Sequence, residues 1–395
     1  MTLPSLPPFS VRRAAGLIVA LFSVLWLAAC DVAPGAGSGG PRINTSRPVP
    51  VALLVPAGSG QPGDEALARS LENAARLAMA DLDGVEIDLR VYATAGQPAT
   101  AAEVARQAVD DGARILLGPV YSGAARAAGE AVRPRGVNVL AFSNNTDIAG
   151  GNVFVLGHTF ENTANRLMRF AAAQGKSSLV IVHGQSPAEE KGRDAFAAAA
   201  AAAGVEVRGI FPFELSQTGV VNAVPKIAEM IRSTGAQSVA FTSGTAGALP
   251  ILTQLLTENG IDPAETQFIG LQRWDIPRSA LELPGLQNGW FAIPDPALMQ
   301  QFEARYAEAY GTPPHPIAGL AYDGIAAIGA LVKAGKSDAL AASGLTQPSG
   351  FLGVNGVFRL RGDGTVERAL AVATIRDEEV VVLDPAPRSF GGAGI

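Results

Sequence analysis

Asp110-Asp-Gly-Ala-Arg-Ile-Leu-Leu-Gly-Pro119 decides the fold. Arg114–Leu117 is a short apolar run entered through a glycine turn and left through Gly118-Pro119, as a strand buried on both faces would be. A helical stretch over Thr100–Asp110 precedes it and another over Ser122–Arg133 follows. Upstream, Val51–Val55 and Glu86–Tyr92 read as strands. Between them, helical spacing from Asp64 to Leu82 sets Leu67, Leu71, Ala74, Ala75 and Ala78 on one face. Downstream, Val137–Ala141 is the next strand, and after Phe154 the alternation restarts. It runs through helix 161–173, strand Leu179–His183, helix 188–203 closed by Gly204, strand Val205–Phe213 and helix 220–234. Strand Ser238–Thr242, helix 245–258 and strand Gln267–Gly270 complete it. Strands separated by helices of about 10–15 residues imply parallel βαβ sheets covered on both faces. Past Gly289 the order changes to strand Trp290–Ile293, helices Pro296–Tyr310 and Ile317–Ala334, and short alternating strands over Gly356–Leu383. The triplet Arg361-Gly-Asp363 lies in a turn there and reads as plain hairpin chemistry, because Asp-Gly is a turn dipeptide.

The length of 395 residues exceeds what one hydrophobic core serves, which agrees with two such α/β halves. A hydrophobic share of 48% with 17% charged residues excludes a mostly disordered chain. The net charge of -6 argues against a nucleic-acid partner. One cysteine, Cys30, excludes an internal disulfide and a cysteine-based zinc site, and His158, His183 and His315 are too scattered for a metal motif.

The first residues are an address. Arg12 and Arg13 precede an apolar run from Ala14 to Ala29, short for a span and suited to a secretory signal. The run ends in Leu27-Ala-Ala-Cys30, which resembles the lipobox of bacterial lipoproteins. That resemblance implies cleavage of residues 1–29 and acylation of Cys30. Asp31 resembles the signal that retains lipoproteins in the inner membrane of enteric bacteria, so the expected place is the periplasmic face of a bacterial membrane, inner or outer. Residues 30–48 are Gly- and Pro-rich without apolar period and read as a tether.

Gly58-Ser-Gly-Gln-Pro-Gly63 imitates a dinucleotide fingerprint, but the second strand ends in Tyr92-Ala-Thr94 without the acid that would hold a ribose. Pro62 also lacks the N–H that phosphate would want. The chain has no G-x-S-x-G, S-x-x-K or Walker A motif. His183 has no paired nucleophile, and Glu189/Glu190 read as a solvated face. No enzyme and no cofactor are expected.

Two doubly wound halves put a cleft between lobes, at the carboxyl ends of their strands. In this respect residues 49–385 resemble type I periplasmic binding proteins of the leucine/isoleucine/valine-binding family. The landmarks are Asp110–Pro119, Val137–Asn145, Phe268-Ile-Gly270, Phe302–Pro314 with Ala321-Tyr-Asp323, and Phe351–Gly364. The resemblance implies two parallel-sheet lobes joined by a three-strand hinge, with crossings near 157, 293 and 352. Lobe 1 is then 49–157 plus 294–351, and lobe 2 is 158–293 plus 352–395. It also implies a small-molecule ligand in the cleft, contacted by Tyr121, Ser122, Ser143, Asn144 and Asn145 from lobe 1. A helix opening at Ser122 suits an anion; capping of that helix by Ser122 is the alternative, and both can hold. Opposite, where amino-acid binders carry an acid, stands Gln272, with Asp275 able to substitute.

Gln272-Arg-Trp-Asp275, Gly289–Pro296 and Asp384–Phe390 look like the penicillin-binding-protein activator lipoproteins of proteobacteria. That branch implies a peptidoglycan synthase as partner, with Trp274 and Trp290 as anchors. The sequence places the activator marginally ahead. The alternative is an ABC-transporter substrate-binding lipoprotein for an amino acid, amide or short peptide, with an ABC permease as partner.

Overall fold

The computed structural model describes Gly40–Phe390. The signal segment, Cys30, Asp31, the first part of the tether and residues 391–395 lie outside the described residues. The first sheet is built from β1 (Val49–Val55), β2 (Ile87–Ala93), β3 (Ile115–Leu117), β4 (Asn138–Ala141) and β5 (Val153–Val155). Three helices fall between the first four of these strands, α1 (Asp64–Ala80), α2 (Pro98–Asp110) and α3 (Ser122–Val132). All pairs are parallel, in the order β2-β1-β3-β4-β5. Strand β1 shows why both faces are covered. Val51, Leu53 and Val55 enter one core, while Ala52 and Leu54, pointing the other way, enter the core holding Ala105 and Ala125 of α2 and α3.

The chain then crosses into α4 (Phe160–Ala173), β6 (Ser178–Gly184), α5 (Pro187–Ala203), β7 (Glu206–Phe213), α6 (Gln217–Thr234), β8 (Ser238–Phe241), α7 (Leu249–Glu258), β9 (Gln267–Gly270) and β10 (Trp290–Ile293). Local chemistry sets the helix ends. Thr159, Ser186 and Ser216 accept backbone N–H bonds at the starts of α4, α5 and α6, and Gly204 closes α5 with φ 72°. Helix α7 starts at Leu249 rather than 245, because Gly244–Gly247 makes a turn instead.

Helices α8 (Pro296–Tyr310) and α9 (Gly319–Lys333) return to the first core, where Phe302, Tyr306, Ile325 and Ile328 pack with Leu53 and Leu71. After the short α10 (Ala342–Leu345) come β11 (Phe351–Gly353), β12 (Gly356–Leu360) and β13 (Val366–Arg368), an antiparallel sheet of three strands. Its Phe351, Val354, Phe358, Leu360 and Val366 also belong to the first core. By core membership the chain therefore changes lobe after Arg368, not at the expected 352. Strands β14 (Ala371–Arg376) and β15 (Glu379–Asp384) complete the second sheet, ordered β15-β14-β10-β9-β8-β6-β7. Its β14 and β15 edge is antiparallel, in the part of the chain where the strand-helix alternation has ended. The Arg361-Gly-Asp363 triplet is the turn between β12 and β13, closed by a bond from Arg361 N–H to the Thr365 carbonyl. Among the described residues no helix is long and apolar enough to cross a membrane.

Candidate ligand cleft

Strand β3 is followed by Gly118, whose φ is +90°, and a Cβ there would lie 2.3 Å from the Leu54 carbonyl oxygen. Only glycine fits, and the chain turns from it into α3. The N-cap of α3 is Tyr121, with extended backbone and no side-chain cap; Ser122 is the first helical residue. Capping by Ser122 is thus not how the helix starts. Its first N–H groups lack intrahelical partners and carry the positive end of the dipole. Tyr121 is held in place by Asp64. Its hydroxyl donates to Asp64 at 2.6 Å, and Asp64 also accepts from Ser59 Oγ at 2.6 Å. The bond to Asp64, then burial, pushes the Tyr121 phenol up to about 12. In the loop before α1, the Gly58 and Gln61 N–H groups donate to Glu65 and Ser59, so they form no phosphate cradle.

The loop after β4 holds Ser143, Asn144 and Asn145. Ser143 is buried, its hydroxyl accepting from Asn145 N–H at 3.1 Å, and its carbonyl accepts from Gly157 N–H at the first crossover. Asn144 is exposed. Asn145 Oδ1 accepts from Asp147 N–H and, at 3.1 Å, from Lys191 Nζ of α5, which also pairs with Asp147. Lys191 is therefore a strut between the lobes.

The opposing wall departs from the sequence reading at Asp275 and Glu189. Gln272 is exposed and donates to the Thr242 carbonyl at 3.0 Å. Asp275 is occupied by a bidentate pair with Arg273 and borders a separate cavity of about 290 Å³ shared with Met299 and Glu303 of α8. Glu189, read as solvated, turns inward instead. It accepts from Gly184 N–H at 2.5 Å, from Thr242 at 2.9 Å and from Ser243 at 2.8 Å on each oxygen. The available signal was Ser186-Pro-Ala-Glu189, a capping-box spacing whose glutamate tends to fold back on its own turn.

The two expected partner anchors are packed within the lobe. Trp274 is 0% exposed, and Trp290 of β10 is half-buried with its ring 4.8 Å edge-on to Phe170. Burial removes Trp274 from any surface. His183 is buried too, its Nδ1 in contact with the Gly184 carbonyl. Among the described residues no cluster suits a metal ion.

The profile of a family described as periplasmic binding protein matches residues 48–379. The chain belongs to that family. No curated protein matches it by sequence. Among solved structures, this binding protein is similar to one named as a branched-chain amino acid ABC transporter from Rhodospirillum rubrum, at 16% identity and TM-score 0.74, over 85% of this chain and 100% of that one. A Desulfitobacterium hafniense ABC-transporter substrate-binding protein in complex with leucine superposes at 18% identity and TM-score 0.64, over 85% and 100%. An ABC-transporter solute-binding protein of R. palustris in complex with benzoate gives 20% and 0.59, over 87% and 97%. At these identities the likeness establishes the fold: two α/β lobes with parallel sheets.

His158, at the first crossover, should make the folded state acid-sensitive. Burial first, then the charges of Arg368 and Arg273, push its pKa down to about 3, against a hydrogen bond with Asn355. Unfolded, it titrates near ~6.5. Between those values the unfolded chain binds one more proton, so stability falls as pH drops below ~6.5. Urea unfolding at pH 7 and pH 5 should show the wild type losing about 1–2 kcal/mol more than His158→Gln. Equal losses would show that His158 takes its proton in the folded state.

Proposed function

We propose that this binding protein is a solute receptor of the ABC-importer type, anchored through Cys30, whose cleft takes a small carboxylic acid. One observation carries the reading: the uncapped start of α3 beside Ser122 invites an anion, and the opposite wall offers no uncommitted acid for an ammonium. Gln272 is neutral, Asp275 is paired with Arg273, and Glu189 is saturated by three donor residues. A carboxylate is the chemistry common to the leucine and benzoate of the similar proteins, and benzoate has no ammonium. Ser122 and Asn145 then hold the anionic end, with Tyr121 packed beside it, Ser143 shaping the turn and Gln272 across the cleft. Ligand closure would displace or recruit the Lys191 strut.

The test is a thermal-shift series on the full chain with benzoate, hydroxylated benzoates, amino acids and muropeptides. An aromatic acid at 100 times its dissociation constant adds about 2.7 kcal/mol and moves the melting point by several degrees. Ser122→Ala with Asn145→Ala should lower affinity about 100-fold, the loss of two hydrogen bonds to a charged group. A shift confined to amino acids would overturn the reading that the opposite wall takes no ammonium.

A second reading, the activator of a peptidoglycan synthase, draws on Lys191, which fills the Asn145 loop with the protein's own ammonium. With Trp274 buried, its contact surface would have to lie elsewhere. A silent ligand panel together with synthase capture would put this reading first.

A further inference from the structure

A cavity of about 250 Å³ lies where α4, β12, β13 and the last described residues meet, and none of its lining residues belongs to the cleft loops. Four arginines with solvent-reaching side chains line it, Arg166 and Arg169 of α4 and Arg359 and Arg361 of β12 and its turn, against one carboxylate, Glu367. With the Asp384 carboxylate that Arg166 reaches, four cations against two anions leave an excess of two in a chain whose net charge is -6. Arg368 also touches the cavity, but it is fully buried and paired with Asp323.

The cations compete for too few acceptors. A single oxygen of Glu367 accepts from Arg359 Nε at 2.8 Å and from Arg361 Nη2 at 2.9 Å. Burial raises the Glu367 carboxyl, but the bonds from Arg361 and Arg359 prevail and hold it below its usual range, so it stays ionised. The Phe390 ring covers the Arg359 guanidinium from 4.7 Å. Arg166 reaches the Leu370 carbonyl and the Asp384 carboxylate, both at 2.7 Å. Arg169 stands exposed at the same cavity and enters no ion pair among the described residues. Gathered guanidinium groups repel one another, and a bound anion relieves that repulsion. Their planar forks match the oxygens of phosphate, and forks from two walls suit a tetrahedral oxyanion better than a flat carboxylate. The walls also belong to different cores, Leu167 of α4 to the second and Phe358 of β12 to the first, so a bound anion would touch both lobes.

We propose that this arginine pocket is a second ligand site, separate from the cleft, that takes a phosphoryl dianion, whether free or carried by a lipid headgroup. The reading does not depend on what the cleft binds. Pyrophosphate added to the full chain in low-salt buffer should raise the melting temperature by several degrees, and the rise should shrink with added salt. Arg169→Ala with Arg361→Ala, both exposed, should abolish the rise while leaving the unliganded melting temperature within about a degree. Arg232→Ala, an exposed arginine of α6, should keep the full response. Dihexanoyl phosphatidic acid, soluble below its micelle concentration, separates the sources: binding at least tenfold tighter than pyrophosphate assigns a lipid headgroup, and weaker binding assigns a free phosphate compound. No rise with either probe, or an equal rise in the double variant, overturns the proposal.

Discussion

Arg368→Met should lower the stability of this protein by about 3 kcal/mol, and Asp323→Leu by 3–5 kcal/mol, because each leaves half of a buried ion pair behind. Both side chains are 0% exposed, with Arg368 Nη1 2.8 Å from Asp323 Oδ2. The pair is a knot in the hinge. Asp323 of α9 also accepts from Val354 N–H at 2.8 Å and from the Asn355 side chain at 2.9 Å. Arg368 donates twice to the Leu156 carbonyl, at 2.9 and 2.7 Å, and lies 4.8 Å over the Phe358 ring. The two losses are unequal for a physical reason. Without Arg368 the carboxylate keeps its amide donors; without Asp323 those donors are stranded in the interior. The double variant should cost less than the sum by at least 1 kcal/mol, since an apolar pair buries no charge. Urea unfolding midpoints at constant m-value measure all three. Additivity within about 0.5 kcal/mol would mean that the two charges do not support each other.

That knot also explains where the sequence was readable and where it was not. Helices and central strands were legible because their apolar period is local: Val51–Val55 splits between two cores by alternation alone, and Gly204 marks a helix end in place. The lobe to which β11–β13 belong was not legible. Strands of three to five residues alternate in the same way whichever core receives them, and the choice is made by contacts such as Arg368 with Asp323, 45 positions apart. Strand β5 has three residues within a glycine-rich stretch, too short for a period to show. The loops after β3 and β4 were singled out by the family resemblance, at strand ends of the kind where sites gather, and their ligand role belongs to the proposal. The inward turn of Glu189 was not, since Glu190 beside it has the same chemistry and the difference lies in Thr242 and Ser243, 53 and 54 residues on. Asp275 looked free as a cleft acid because nothing in a sequence reports that Arg273, two residues before it, folds onto it.

Trp274→Ala should cost about 3–5 kcal/mol, as truncation of a large buried aromatic does. As an interface anchor Trp274 would have left the fold intact on truncation; its surroundings dictate otherwise. The ring stacks on Phe291 with centroids 6.1 Å apart and planes 18° apart. Two glycines make room for it: a Cβ on Gly270 would sit 1.9 Å from its Nε1, and one on Gly289 1.8 Å from its Cζ3. Gly270 ends β9 and Gly289 precedes its parallel neighbour β10, so the indole lies against the bare backbone of the paired strands and pins the loop that carries Gln272. Its N–H has no partner among the described residues, so the residue is held by shape and not by a hydrogen bond. That orphan makes the prediction sharper. Trp274→Phe removes the unsatisfied N–H along with part of the ring, so it should cost clearly less than Trp274→Ala, about 1–2 kcal/mol. Gly289→Ala, which leaves the tryptophan and fills its space, should cost about as much as an overpacked core does, 1–3 kcal/mol or more. Urea unfolding of the three variants orders them by packing. If Trp274→Ala changed stability by less than 1 kcal/mol while abolishing capture of a protein partner, the indole would have to leave the core to reach that partner, and its place as an anchor would be restored.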